Sequence, residues 1–257
     1  MSVLLAATIF VAQAMATTEE GAAGSRLFAR HCAPCHGPNG EGGRGPTLAL
    51  PKLQQAPDLA ALLRLIRRGI EGTGMPSSRL SPEDVRLVAL WVQQLGQRPA
   101  EPMPGDVERG RGVYAKKGAC GTCHTIRGYG GALGPDLTEI GLLRGAGYLR
   151  QSLVEPAADV PKGFGLYQRD ANISLNFLQV SVVTKDGRRL TGVRVNEDAF
   201  SIQIRDTGNR IHSLLKSELR ELHKDWGQSP MPAYGDVLSK DEIDDVVAFL
   251  MAQRGRE

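Results

Sequence analysis

The only four cysteines of the chain fall in two copies of one five-residue pattern, Cys32-Ala33-Pro34-Cys35-His36 and Cys120-Gly121-Thr122-Cys123-His124. Cys-x-x-Cys-His is the attachment signal for a c-type haem. Two thiols three positions apart on one helical turn can each form a thioether to a vinyl group on one porphyrin edge. The histidine directly after the second thiol then stands under the iron as its proximal ligand. A structural disulfide or a thioredoxin-like pair uses the two cysteines but leaves the histidine unexplained, twice. Zinc sites recruit Cys and His, yet an adjacent Cys-His inside each triplet does not match their usual ligand pairs. The pattern predicts two covalently bound haems c, on Cys32, Cys35, Cys120 and Cys123, with His36 and His124 as iron ligands.

Composition agrees with such a chain. Its 257 residues leave room for about two domains. Aromatic residues make up 5% of it and glycines number 31, which suits a core partly filled by something other than side chains. The net charge of +3 comes with no long basic run, so a nucleic-acid footprint is unsupported. Residues 1–16, "MSVLLAATIFVAQAMA", are apolar and end in Ala14-Met15-Ala16, which reads as a secretory signal peptide. No Lys or Arg precedes the apolar run, and an uncleaved N-terminal anchor is the alternative. The run of about 14 apolar residues is short of the roughly 20 that a membrane span needs. No cysteine follows it for a lipid anchor. The expected location is the periplasm of a bacterium, with membrane association only if this segment stays.

The surroundings of the two motifs repeat. Gly24 and Phe28 precede the first, and Gly110 and Tyr114 the second, with glycine and aromatic at the same offset from one another. A glycine-rich loop with Gly45-Pro46 follows the first, and one with Gly134-Pro135 the second. The stretch "PDLAALLRLIRRGI" puts Leu59, Leu62, Leu63, Ile66 and Ile70 on one helical face. In the second copy "GYLRQSLVEP" offers a shorter helix ending near Pro156. "SPEDVRLVALWVQQL" (81–95) then matches "SKDEIDDVVAFLMAQ" (239–253) position for position, each starting with a capping serine and an acidic third residue. The connector 96–106 carries three prolines and two glycines and marks the domain boundary.

The sixth iron position needs a side chain on a loop that can cross the far haem face. Met75-Pro76 lies just ahead of Ser81, and Met231-Pro232 just ahead of Ser239. A methionine is usually core filler, but this matched placement predicts that Met75 and Met231 are ligands. Thioether sulfur is soft and neutral and favours ferrous iron. Met103-Pro104 shares the dipeptide but sits in the connector without a counterpart. His212, in a β-region, and His223, in an expected surface turn, are lesser candidates. The carbonyls of Pro46 and Pro135 are the expected acceptors for the second ring nitrogen of each proximal histidine.

Cys32–His36 with Gly45-Pro46 and Met75, and Cys120–His124 with Gly134-Pro135 and Met231, resemble class I cytochromes c. The resemblance implies a mainly α fold of two tandem cytochrome c-like domains, over residues 21–99 and 105–254. The second carries a small antiparallel β-sheet insertion at about 175–215. Strands are expected near 177–184, 189–196 and 199–206, with one more at 210–214, and turns at Asp186-Gly187 and Gly208-Asn209. With "GPDLTEIG" before it and "SPMP" after it, this domain resembles the haem-binding module appended to bacterial quinoprotein or sugar-dehydrogenase-like proteins.

The leading expectation is a periplasmic dihaem electron carrier without catalytic residues of its own. Its partners would be redox proteins: a periplasmic dehydrogenase as donor, an oxidase or another cytochrome as acceptor. A dihaem peroxidase would need an open distal face and a general acid or base beside it, and neither domain marks one out. A haem-based sensor, in which a diatomic ligand displaces Met75 or Met231, is the third class.

Overall fold

The computed structural model describes residues 19–98, 103–160 and 177–255. The expected signal segment 1–16 and the start of the insertion at 175–176 lie outside the described residues. The chain divides into two compact units, Met1–Glu101 and Pro102–Glu257. Among the described residues no helix is long and apolar enough to cross a membrane.

In the first unit a helix through residues 19–31 (α1) leads into the short helix Ala33–His36 (α2). Helix Leu59–Arg68 (α3) starts where Asp58 accepts the Ala61 N–H at 2.7 Å, and buries Leu62 and Ile66. It stops at Gly69, whose φ of +68° ends the helix, so Ile70 lies beyond the face expected to include it. Helix Pro82–Leu95 (α4) is capped by Ser81, which accepts the Asp84 N–H at 3.1 Å. Gly24 lets α1 and α4 touch: a Cβ there would lie 2.4 Å from the Leu87 carbonyl oxygen. One turn later Phe28 is buried among Val85, Val88, Val92 and Leu95.

The second unit repeats that crossing with helices Val107–Ala115 (α5) and Lys240–Met251 (α8). Asp106 caps α5, and Ser239 with Glu242 forms a complete capping box on α8. A Cβ on Gly110 would sit 1.9 Å from the Asp245 carbonyl oxygen, and Tyr114 lies against Phe249 at a ring separation of 5.2 Å. Arg109 fixes the crossing by reaching the buried Asp245 carboxylate through Nε and Nη2, both at 2.8 Å. Between these helices lie the hairpin Thr125–Ile126 (β1) and Tyr129–Gly130 (β2), then helices Ile140–Leu143 (α6) and Ala146–Val154 (α7). Leu149, Leu153, Ile243, Val246 and Leu250 close this core.

The sheet is larger than the sequence suggested. Strands Gln179–Thr184 (β3), Arg189–Glu197 (β4), Ser201–Arg205 (β5) and Ile211–Leu215 (β6) fall near the expected spans. A fifth, Leu219–Lys224 (β7), lies past the expected limit at 215 and contains His223, expected in a turn. The order is β6-β5-β4-β3-β7, all neighbours antiparallel. The edge strands β6 and β7 are joined by only the 3-10 turn Lys216–Glu218. Four strand gaps of about 4.8 Å would set the edges of a flat sheet about 19 Å apart. The link from Leu215 to Leu219 can span at most about 14 Å. The sheet must therefore curl into a partly closed barrel around Val180, Val182, Ile202, Ile204 and Leu214. At its open seam Glu197 of β4 binds Arg194 (2.9 Å), Lys216 beyond β6 (2.8 Å) and Lys224 of β7 (3.0 Å). One carboxylate thus ties both edges together.

Two outcomes follow from this packing. Gly110→Ala should cost about 2–3 kcal/mol in thermal denaturation, because the methyl meets backbone that cannot yield. Gly112→Ala, which faces nothing within 4 Å, should leave stability unchanged or raise it. Burial alone would raise the Glu197 pKa, but hydrogen bonds from Lys216, Lys224 and Arg194 outweigh it and bring it down to about 2 from 4.5. A depressed folded value stabilises fully above 4.5 and is lost as pH falls toward about 2. Glu197→Gln should lower stability at about pH 7 by roughly 1–3 kcal/mol, the worth of charged hydrogen bonds in a partly solvated setting. Urea titrations should show that gap narrowing at about pH 3.

Candidate haem attachment sites

Both motifs fold into the same turn. The His36 and Cys35 N–H groups donate to the Cys32 carbonyl at 2.9 and 3.1 Å, and those of His124 and Cys123 donate to Cys120 at the same distances. This puts the two thiols of each pair and the following ring on one side of a single turn. No disulfide joins any of the four cysteines. Burial, with Cys35 adding to it, pushes the Cys32 thiol up to about 11, and burial pushes Cys120 up to about 11. Redox-active Cys-x-x-Cys pairs have the opposite property, a depressed thiol pKa.

The glycine-rich loops hold the two rings in the same way. Gly45 N–H donates to the Cys35 carbonyl and Gly134 N–H to the Cys123 carbonyl, each at 2.8 Å. Each imidazole lies flat on that glycine: a Cβ would come within 2.8 Å of His36 Cε1 and 2.5 Å of His124 Cε1. His36 Nδ1 is 2.8 Å from the Pro46 carbonyl oxygen and His124 Nδ1 is 2.9 Å from that of Pro135. A carbonyl can only accept, so Nδ1 carries the proton and Nε2 keeps its lone pair for a metal. Burial lowers the His124 pKa against the opposing pull of the Pro135 carbonyl, which keeps the ring neutral. A neutral Nε2 beside two thiols, over a cradle that admits no side chain, fits a covalently attached haem. The half-buried Leu48, Leu53, Leu59 and Leu80 around the first core fit an apolar macrocycle that would cover them.

Met75 packs against the first core together with Cys32 and Ala33, and Met231 against the second with Ile126 and Tyr234. Their loops share a device absent from the sequence reading. Met75 N–H donates to Thr73 Oγ1 at 3.3 Å, and Met231 N–H donates to Ser229 Oγ at 3.1 Å. The signal was a hydroxyl residue two positions before each methionine. The Met75 carbonyl accepts the Ile70 N–H at 2.9 Å, which fastens that loop to the end of α3. The Met231 loop is fastened by Tyr234, whose hydroxyl donates to the Gly118 carbonyl at 2.8 Å, two residues before Cys120. No local pattern announces that contact. Met103 also packs on the second core, His212 pairs with Asp206 at 2.7 Å, and His223 is an exposed neighbour of Glu221.

Residues 19–92 match the family described as cytochrome C oxidase, cbb3-type, subunit III. Among curated proteins the chain is similar to the Cbb3-type cytochrome c oxidase subunit FixP of Bradyrhizobium sp. (strain ORS 278), 34% identical over 84 residues. That stretch is 30% of this chain and 28% of the relative. It is also similar to the Cbb3-type cytochrome c oxidase subunit FixP of Sinorhizobium medicae (strain WSM419), 31% identical over 113 residues, which is 40% of this chain and 38% of that one. The matched stretches therefore span well under half the length of these relatives. Residues 19–92, most of the first unit, are thus similar to a cytochrome c domain of this oxidase-subunit kind.

Ferric haem with a methionine ligand absorbs in the far red, which gives the axial positions a direct readout. Met75→Ala and Met231→Ala should each remove about half of that band, and the double substitution all of it. A band untouched by either substitution would overturn the assignment.

Proposed function

We propose that the chain carries two covalently bound haems c, one in each unit, and passes single electrons between redox proteins of the bacterial periplasm. What supports this best is the repeated construction at His36 and His124: glycine cradle, proline carbonyl on Nδ1, and Nε2 presented beside two thiols. The units are then tandem cytochrome c-like domains, the second interrupted by the barrel.

Bound haem supplies a one-electron couple at its iron. The protein contributes the rest. Cys32, Cys35, Cys120 and Cys123 hold the macrocycle through thioethers, which keeps it in place whatever the iron's oxidation state. His36 and His124 donate from one side, and the bonds to Pro46 and Pro135 make them better donors. Met75 and Met231 would supply soft sulfur to the iron, which favours the reduced state and raises the potential. A shell complete in both states changes little on electron transfer, and it denies peroxide or a diatomic ligand an open position. Tandem sites suit a relay between a dehydrogenase-type donor and a respiratory acceptor. The oxidase-subunit names of the relatives make a terminal oxidase the first acceptor to try.

Haem content tests the reading. The pyridine haemochrome spectrum should give two haems c per chain, falling to one in a Cys120→Ser/Cys123→Ser variant that keeps the first haem. Reduced protein should bind carbon monoxide slowly and weakly. Rapid, tight binding at either haem would sink the electron-carrier reading in favour of ligand chemistry.

A further inference from the structure

The barrel reaches the second attachment site through one turn. Between β5 and β6, Asn209 stands at a φ of +62°, in the left-handed region that costs most residues energy. Its Oδ1 accepts two hydrogen bonds, from Arg205 Nη1 at 2.9 Å and, at a long 3.4 Å, from the N–H of Ala132. Ala132 belongs to the glycine-rich loop, two residues before the Gly134 cradle and three before the Pro135 carbonyl that holds His124. The turn is itself stiff. The Asn209 N–H donates to the Asp206 carbonyl and the Arg210 N–H to Asp206 Oδ1, both at 2.9 Å, while His212 Nε2 sits 2.7 Å from Asp206 Oδ2.

The equivalent loop of the first unit is braced from within. Thr47 Oγ1 donates to the Gly40 carbonyl at 3.0 Å, and Leu48 N–H to the same oxygen at 2.7 Å. In the second loop the counterparts of Thr47 and Leu48 are Asp136 and Leu137; the Leu137 N–H donates to the Thr125 carbonyl at 2.8 Å, which braces the stretch after Pro135 but not the one before it. Its 130–131 end is pinned to the motif, since Gly131 N–H donates to the Gly121 carbonyl at 2.9 Å and its carbonyl accepts from Thr125 Oγ1 at 2.6 Å. Ala132 is the point at which the barrel holds the stretch leading to Pro135.

We propose that the barrel is a positioning element for the proximal histidine of the second haem, with Asn209 as the positioning residue. Arg205 and the Asp206 turn fix Asn209, Asn209 holds Ala132 between the motif's own pins at Gly131 and Gly134, and that hold adjusts how closely the Pro135 carbonyl meets His124 Nδ1–H. A closer bond makes the imidazole a stronger donor, which favours ferric iron and lowers the potential of that haem alone. The insertion then serves to separate the potentials of two otherwise similar sites. This inference rests on the second haem being present.

The test uses the full chain with its haems counted first by pyridine haemochrome. Asn209→Gly keeps the left-handed turn and removes Oδ1; Asn209→Asp keeps an acceptor. In Asn209→Gly the reduction equilibrium of the second haem should shift about threefold toward the reduced state, about 28 mV for a one-electron couple. This is below the 10–100-fold that outright loss of an outer-shell partner costs in other metal sites. The first haem should not move, and Asn209→Asp should restore the second. In the wild-type protein the Ala132 amide should be protected from hydrogen exchange, and Asn209→Gly should release it. An unprotected Ala132 amide in the wild type overturns the proposal without recourse to any variant. So does an unchanged second potential in a folded, two-haem Asn209→Gly protein. A one-haem wild type overturns the dihaem reading itself, a result distinct from either.

Discussion

An imidazole can present one ring nitrogen in a fixed direction only if it cannot rotate, and both units are organised around preventing rotation. Each ring is trapped between a glycine below and a proline carbonyl at its edge, and both of these come from a loop only about ten residues downstream. Once that loop is committed, the chain that follows has few places to go. It must cross to the far side of the ring through a helix, α3 or α7, and return through a Met-Pro loop. The unit closes with a capped helix packed on the one that opened it. The glycines at 24 and 110 allow that last contact, since any side chain there would push the two helices apart and open the pocket between them.

The parts of this plan that depend on short spacing could be read from the sequence. Cys-x-x-Cys-His, Gly-Pro and Ser-x-x-Asp/Glu are local devices whose chemistry is complete within a dozen residues. The proline carbonyls fall into that group because a Gly-Pro pair follows each motif at a similar distance. The unread parts depend on partners far away in sequence. Strand β7, "LRELHK", has charged residues at half its positions, and the leucines at 214, 215, 219 and 222 that run into it have a spacing that suits a helix as well as a strand. It is a strand because β3, some forty residues earlier, offers it an edge. Tyr234 and its bond to Gly118 were hidden for the same reason: the contact joins residues 116 positions apart.

Glu197 shows how a polar group can decide shape inside a small apolar barrel. Leucine, isoleucine and valine side chains fill the interior, but apolar packing is indifferent to which strand ends meet at the seam. A carboxylate shared by Arg194, Lys216 and Lys224 is selective, because it is satisfied only when the ends of β4, β6 and β7 come together. Desolvating it is costly, and three donors are what offset that cost. The bulge at Arg194–Asn196 turns Val195 outward and leaves Glu197 aimed inward at the seam.

The barrel's first and last strands lie side by side. β3 and β7 are antiparallel neighbours, Val180 is opposite Lys224, and the Asp225 N–H donates to the Gln179 carbonyl at 3.0 Å. The polypeptide therefore enters and leaves the barrel at nearly one point. For the helical framework around it, dozens of residues behave as a short, already closed loop, whose closure entropy the barrel has met with its own core. Such a module can lengthen, shorten or diverge without altering the distance the framework must bridge. One of its turns, at Asn209, meets that framework at Ala132.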